Sequence, residues 1–140
     1  MKGAIKSIRI RGFKSIRELE SFEFKPLNII IGANGAGKSN LIQVFRLLMA
    51  MAHRNLQAFI LENGGADSFL HNGPKHTDAI EMEFEFSSLS DFSAGPNFYR
   101  FKLKPTVEET FLVEEERKYV TTNWRSYGPP ALESRLYDER

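Results

Sequence analysis

No cysteine occurs among the 140 residues, which excludes disulfides and thiolate metal sites and makes a cytoplasmic location the expectation. Long hydrophobic runs are missing as well. No stretch approaches the roughly 20 apolar residues of a membrane-spanning helix, so a membrane is not an expected partner. The opening residues, Met1-Lys2-Gly3-Ala4-Ile5-Lys6, carry charge with no apolar run behind it, which is not the pattern of a signal peptide. Internal repeats and low-complexity tracts are absent. Nor is charge of one sign in excess: 19 Lys and Arg against 18 Asp and Glu leave +1, and bulk charge gives no argument for nucleic acid. One absence is local. Between Glu23 and Glu62 there is no Asp or Glu, while Lys25, Lys38, Arg46 and Arg54 fall in that interval. An anion brought there meets no carboxylate repulsion, although the same bases also suit the solvated faces of ordinary strands and helices.

What is present fits one folded domain, with 41% hydrophobic and 26% charged residues. Ile8 and Ile10 alternate with Arg9 and Arg11, the pattern of a half-buried strand, and Gly12 and Ser15 allow a turn. A second strand is expected over Leu19 to Phe24, ended by Pro26. Leu27-Asn28-Ile29-Ile30-Ile31 is short, apolar and β-branched, as in a strand buried on both faces. From Lys38 the period changes. Leu41, Ile42, Phe45, Leu48 and Met49 recur at helical spacing through Ala52, and Leu56 to Leu61 predicts a second helix closed by Asn63-Gly64-Gly65. Asp67 to Pro74 reads as a loop or a short helical turn.

Beyond Pro74 strands return. Ile80, Met82, Phe84 and Phe86 alternate with Glu81, Glu83 and Glu85, and Tyr99, Phe101 and Leu103 alternate with Arg100, Lys102 and Lys104. Paired through the Ser87–Asn97 loop, they set three acids opposite three bases, which accounts for both charge runs without a ligand. Phe111-Leu112-Val113 and Tyr119-Val120-Thr121 read as two further strands with Glu114 to Lys118 as their turn, and Ser126 to Arg140 has no pattern.

The chemistry is concentrated between the apolar strand and the first helix. Gly32-Ala33-Asn34-Gly35-Ala36-Gly37-Lys38-Ser39 satisfies G-x-x-x-x-G-K-[ST], the Walker A pattern, at every fixed position. Gly32, Gly35 and Gly37 let the backbone curl around an anion without Cβ clashes. The curled loop turns successive N–H groups inward as a nest, and the helix start adds its free N–H groups and dipole at the same place. Lys38 neutralises the β- and γ-phosphates, and the Ser39 hydroxyl is a ligand for the bridging Mg2+. The motif stands in its required context of strand, loop and helix, so a nucleoside triphosphate with magnesium is the expected ligand.

The stretch Arg11-Gly12-Phe13-Lys14-Ser15, the run Leu27 to Ile31 and the loop Gly-Ala-Asn-Gly-Ala-Gly-Lys-Ser-Asn ending at Asn40 together resemble the RecF/SMC-like ATPases, P-loop proteins with ABC-type heads related to the OLD-family ATPases. The resemblance covers residues 4 to about 52 well and extends loosely into the antiparallel strands, where the family carries a β-subdomain. It implies ATP and Mg2+ as ligands, with Asn34, Gly35, Ala36, Gly37, Lys38, Ser39 and Asn40 around the phosphates and metal, and the turn at Phe13, Lys14 and Ser15 near the base and ribose. Family members hydrolyse ATP between two heads, and many act on DNA in repair or phage defence. A head-to-head homodimer, a C-terminal half of the ATPase and DNA are therefore the implied partners. The sequence also departs from the family. Asp138-Glu139 follows only Leu136-Tyr137, with no apolar strand before it to make a Walker B motif, and no Leu-Ser-Gly-Gly signature is present. Leu61-Glu62-Asn63-Gly64-Gly65 is a superficial lookalike of that signature, and no catalytic residue is assigned.

Other features read as structural. Gln43 and Gln57 suit surface positions on helices, His53, His71 and His76 lack metal-ligand spacing, and Trp124 with Tyr119 and Tyr127 suits a packing cluster better than a base-stacking platform. The expected fold is α/β: the N-terminal lobe of a P-loop ATPase, with a mixed sheet, one or two helices and an antiparallel β appendage. Residues 1–75 form the nucleotide-binding part, 76–125 the β-subdomain and 126–140 an irregular tail. Two alternatives compete with an ATP-binding lobe: a non-catalytic interaction module derived from it, and a small nucleotide kinase, for which an arginine-rich lid and an acceptor pocket are not evident.

Overall fold

Alternation of apolar with charged residues lays down the longest strands, and the computed structural model describes residues 5–24, 38–87, 97–119 and 122–136. In chain order these are β1 (Ile5–Phe13), β2 (Ile16–Glu23), α1 (Lys38–Ala52), α2 (Leu56–Glu62), a 3-10 turn (Ala66–Phe69), β3 (Ile80–Phe86), β4 (Phe98–Pro105), β5 (Phe111–Lys118) and β6 (Arg125–Ser126). The six strands make one sheet, ordered β2-β1-β3-β4-β5-β6, in which every neighbouring pair is antiparallel.

This corrects the expectation of a separate appendage, because β3 to β5 join the same sheet as β1 and β2. The second edge of β1 is taken by β3, with Ile8 opposite Phe84 and Ile10 opposite Met82, so the sheet runs unbroken across the boundary expected near residue 75. Both strands carry the same alternation, and pairing them puts all their apolar residues on one face. The apolar run Leu27–Ile31 lies outside the described residues.

The inner face of the sheet, including Ile8, Ile10, Phe84, Tyr99 and Phe111, joins Val44, Leu47 and Met51 of α1 and Leu56 and Ile60 of α2 in one buried cluster. Each such side chain contributes about 1.5–3 kcal/mol. On the outer face the charged rows are longer than expected. Glu81 lies between Arg11 and Lys102, and Glu83 between Arg9 and Arg100. Glu114 and Glu116 then extend these rows on β5. Lys104 does not meet a β3 carboxylate; its Nζ reaches Glu114 at 2.7 Å.

That register explains a second correction. Glu114 to Lys118 is not a turn but the continuation of β5, because the bases of β4 neutralise its outward carboxylates at Glu114 and Glu116. Val120 and Thr121 lie outside the described residues. Nor is the segment after Ser126 loose. Val113 and Ala131 exchange backbone hydrogen bonds of 2.8 and 3.0 Å, and Leu136 is buried. The Glu133 carboxylate accepts hydrogen bonds from the Leu56 and Gln57 amides at 2.9 and 3.3 Å, capping α2 from far along the chain. Gln57, expected on the surface, instead donates to the Phe111 carbonyl at 2.8 Å and to that of Leu132, tying α2 to β5 and the tail.

Gly12 lies within β1 at φ +77°, where an added Cβ would stand 2.8 Å from the Ala79 carbonyl oxygen and 2.9 Å from Thr77 Cγ2. Gly12→Ala is expected to lose about 2–4 kcal/mol by chemical denaturation, from left-handed strain and overpacking together. A loss below about 0.5 kcal/mol would show that the backbone relaxes there.

Candidate functional site

The first turn of α1 and the β1–β2 turn meet at one end of the sheet. Lys14 occupies the turn at φ +49°. Its amide donates to the Phe69 carbonyl at 2.7 Å, and its carbonyl accepts from His71 Nδ1 at 2.7 Å. The Lys14 ammonium lies 4.4 Å above the Phe69 ring, and partial burial lowers its pKa below the ordinary value of 10.5. The turn is thus fastened on one side to the end of the 3-10 turn and to His71 just after it. On the other side it is fastened to α1, where Asn40 Nδ2 donates to Ser15 Oγ at 2.6 Å. Neither contact is local in sequence. The Gly-Phe-Lys-Ser turn and the first turn of α1 are brought together by the tertiary fold.

α1 begins at Lys38, with no acidic residue in its first turn. The positive end of the helix dipole therefore meets no carboxylate from its own helix. Ser39 is exposed in this turn and Asn40 half-buried beside it, so a hydroxyl and an amide flank the free helical N–H groups. That combination suits an oxyanion with a hard cation, because hydroxyl oxygen is a ligand type magnesium accepts. Asn34, Gly35, Ala36 and Gly37 lie outside the described residues.

The remaining polar features are self-satisfied. The charged outer face of the sheet forms a trough of 630 Å³ lined by Arg9, Arg11, Glu81, Glu83, Arg100, Lys102 and their neighbours. Its charges pair across strands: Glu81 with Arg11 at 3.8 Å and with Lys102 at 3.4 Å, and Glu116 with Arg100. Solvated pairs of this kind contribute about 0–1 kcal/mol each, and the lining holds more glutamates than Lys and Arg, which does not suit an anion. Trp124 packs edge-on to Phe98 at 6.4 Å beneath the Arg100 guanidinium at 3.9 Å, and Tyr127 packs edge-on to Tyr99 at 6.2 Å. Both rings serve packing, as expected, but with Phe98 and Tyr99 as partners rather than in one cluster with Tyr119. His53 Nδ1 is bonded to the Met49 carbonyl at 2.8 Å, and no group of three or more metal-ligating side chains occurs among the described residues.

Sequence reading missed one buried polar centre. Glu115, 2% exposed, accepts from the Tyr99 hydroxyl at 2.6 Å, from the Arg135 amide at 2.9 Å and from the Ser134 hydroxyl. A glutamate at an inward position of an alternating strand was the available signal, and it was obscured by the run of three glutamates around it.

Comparison with known proteins identifies a family. Residues 1–127 match the family described as AAA ATPase domain. Structural maintenance of chromosomes protein 3 of Arabidopsis thaliana is 36% identical over 89 residues, 59% of this chain and 7% of that protein. The DNA replication and repair protein RecF of an Exiguobacterium species is 33% identical over 100 residues, 71% of this chain and 25% of that protein. An ATP/GTP phosphatase of Helicobacter pylori is 44% identical over 45 residues, 32% of this chain and 12% of that protein. The chain thus spans at most a quarter of the length of these relatives.

Proposed function

The chain belongs to the AAA ATPase domain family, and on that premise we propose that it binds ATP with magnesium through the loop Gly32–Ser39, as the N-terminal part of a RecF/SMC-like P-loop ATPase. The observation that carries this reading is the complete G-x-x-x-x-G-K-S pattern running directly into α1 at Lys38. In it, the backbone N–H groups of Asn34 to Gly37 cradle the phosphates, and Lys38 offsets their charge. Ser39 supplies an oxygen ligand to magnesium, which screens the β- and γ-phosphates. Asn40 holds Ser15, keeping the β1–β2 turn beside the nucleotide. The nucleotide-binding part falls within residues 1–75, and the β3–β5 strands brace it. No residue of this chain is assigned to hydrolysis, since the sequence carries no run of apolar residues ending in Asp-Glu.

The names of the RecF and chromosome-maintenance relatives support a role with DNA, and the resemblance to RecF/SMC-like ATPases implies a pairing of two such heads. Among the described residues, no helix is long and apolar enough to cross a membrane. Calorimetric titration of the chain with ATP, with and without magnesium, tests the binding. Magnesium-dependent uptake is the expected result. A folded chain that takes up no nucleotide would remove this reading and favour a non-catalytic interaction module. Ser15→Ala should weaken ATP binding several-fold while costing only about 0.5–1.5 kcal/mol of stability, and unchanged affinity would detach the turn from the site.

A further inference from the structure

His71 lies outside the phosphate motif, yet its amide, its carbonyl and its ring are all held. The amide donates to the Gly12 carbonyl at 3.0 Å, and the His71 carbonyl accepts from the Thr77 hydroxyl. The ring Nδ1 stands 2.7 Å from the Lys14 carbonyl oxygen. A carbonyl can only accept, so Nδ1 carries the proton, and Nε2 is left to accept from the Asn72 amide at 3.3 Å. The imidazole is therefore a fixed donor aimed at one peptide group.

That peptide group belongs to a strained residue. Lys14 stands at φ +49° in the two-residue turn between the paired Phe13 and Ile16, a left-handed conformation that a side chain disfavours. Such strain persists only where surrounding contacts over-determine it. Here one short segment takes both backbone groups of Lys14. The Phe69 carbonyl accepts from its amide, His71 donates to its carbonyl, and Leu70 pairs with Phe13 between them. The Lys14 carbonyl and the Ser15 amide share one rigid plane. Fixing that plane fixes where Ser15 starts, and Ser15 Oγ is the acceptor for Asn40 in the first turn of α1.

We propose that His71 is a positioning residue for the nucleotide. Its bond to Lys14 holds the β1–β2 turn in the strained form that presents Ser15 to Asn40, and so raises the affinity of the site at the start of α1. The inference rests on the ATP reading given above.

Two replacements separate positioning from mere bulk. Asparagine carries its amide nitrogen as many bonds from Cα as Nδ1, whereas glutamine carries it one bond further. In calorimetry of the full chain, His71→Gln should weaken ATP binding about fivefold, the size of one hydrogen bond, and His71→Asn should stay within about twofold of the parent. Adding Ser15→Ala to His71→Gln should cost little more affinity than either change alone, because both break the same route. Without nucleotide, the side-chain amide resonances of Asn40 should shift in His71→Gln and keep their parent positions in His71→Asn. Resonances unmoved in both variants would overturn the link from His71 to Asn40. Shifted resonances with unchanged ATP affinity, or losses that multiply in the double variant, would overturn the positioning role and leave the ATP reading intact. A folded parent chain that takes up no ATP would remove both.

Discussion

Glu115→Ala is expected to cost about 3–5 kcal/mol, a large part of the 5–15 kcal/mol that holds an ordinary domain together. The carboxylate is the shared acceptor for the Tyr99 hydroxyl, the Ser134 hydroxyl and the Arg135 amide, and its removal leaves these donors in a dry interior with a cavity beside them. The melting temperature should fall by roughly 10 °C or more. Trypsin should then cleave after Arg135 much faster, because the tail loses its anchor on the sheet. Glu115→Gln, which keeps the shape and one acceptor oxygen, should lose less. A melting temperature within about 2 °C of the parent for the alanine variant would mean that water replaces the carboxylate and the network is not a fastening.

The same centre sets an alkaline limit. Burial first, and the neighbouring Glu115 charge second, raise the Tyr99 pKa well above the usual 10.0. The folded state therefore retains a proton that the unfolded chain releases once the pH passes 10. Stability linked to Tyr99 is fully present below pH 10 and is lost as pH rises from there towards the folded-state pKa. Melting curves recorded above pH 9 should fall more steeply for the parent than for Tyr99→Phe, and parallel curves would refute the linkage.

Lys38→Ala is expected to weaken ATP binding by about 100-fold or more, the loss of roughly 3 kcal/mol from charge-assisted contacts to phosphate. The fold should be retained, because the loss is confined to a ligand contact; an unchanged melting temperature without nucleotide checks this. Ser39→Ala should act differently, removing the advantage that magnesium confers while leaving metal-free affinity nearly unchanged. Equal affinity of the Lys38→Ala variant and the parent would sink the assignment of residues 32–39 to phosphate.

Local pattern made much of this protein legible. The span of α1 agrees with its helical period, and β1, β3 and β4 agree with their alternation, because the core-facing side is written directly into the spacing of apolar residues. The G-x-x-x-x-G-K-S pattern is likewise read from consecutive residues, but Gly32 to Gly37 lie outside the described residues. Misreadings arose where a residue's role depended on a distant partner. Glu114 to Lys118 resembles a polar turn until β4 supplies Lys102 and Arg100 opposite Glu114 and Glu116. Gln57 resembles a surface residue until Phe111 and Leu132 present their carbonyls to it.

By itself, then, the sequence determined the period of each long element and which side of most strands turns inward, and it carries the motif on which the proposed ligand chemistry rests. Those properties rest on neighbours in the chain. The tertiary structure alone decided that β1 pairs with β3 rather than leading a separate sheet, that the Ser15 hydroxyl meets Asn40, and that Glu115 and Glu133 fasten the tail to β5 and α2. Each of these joins residues far apart in sequence, and the closure of such long loops is compensated only when the whole sheet and its helices pack together.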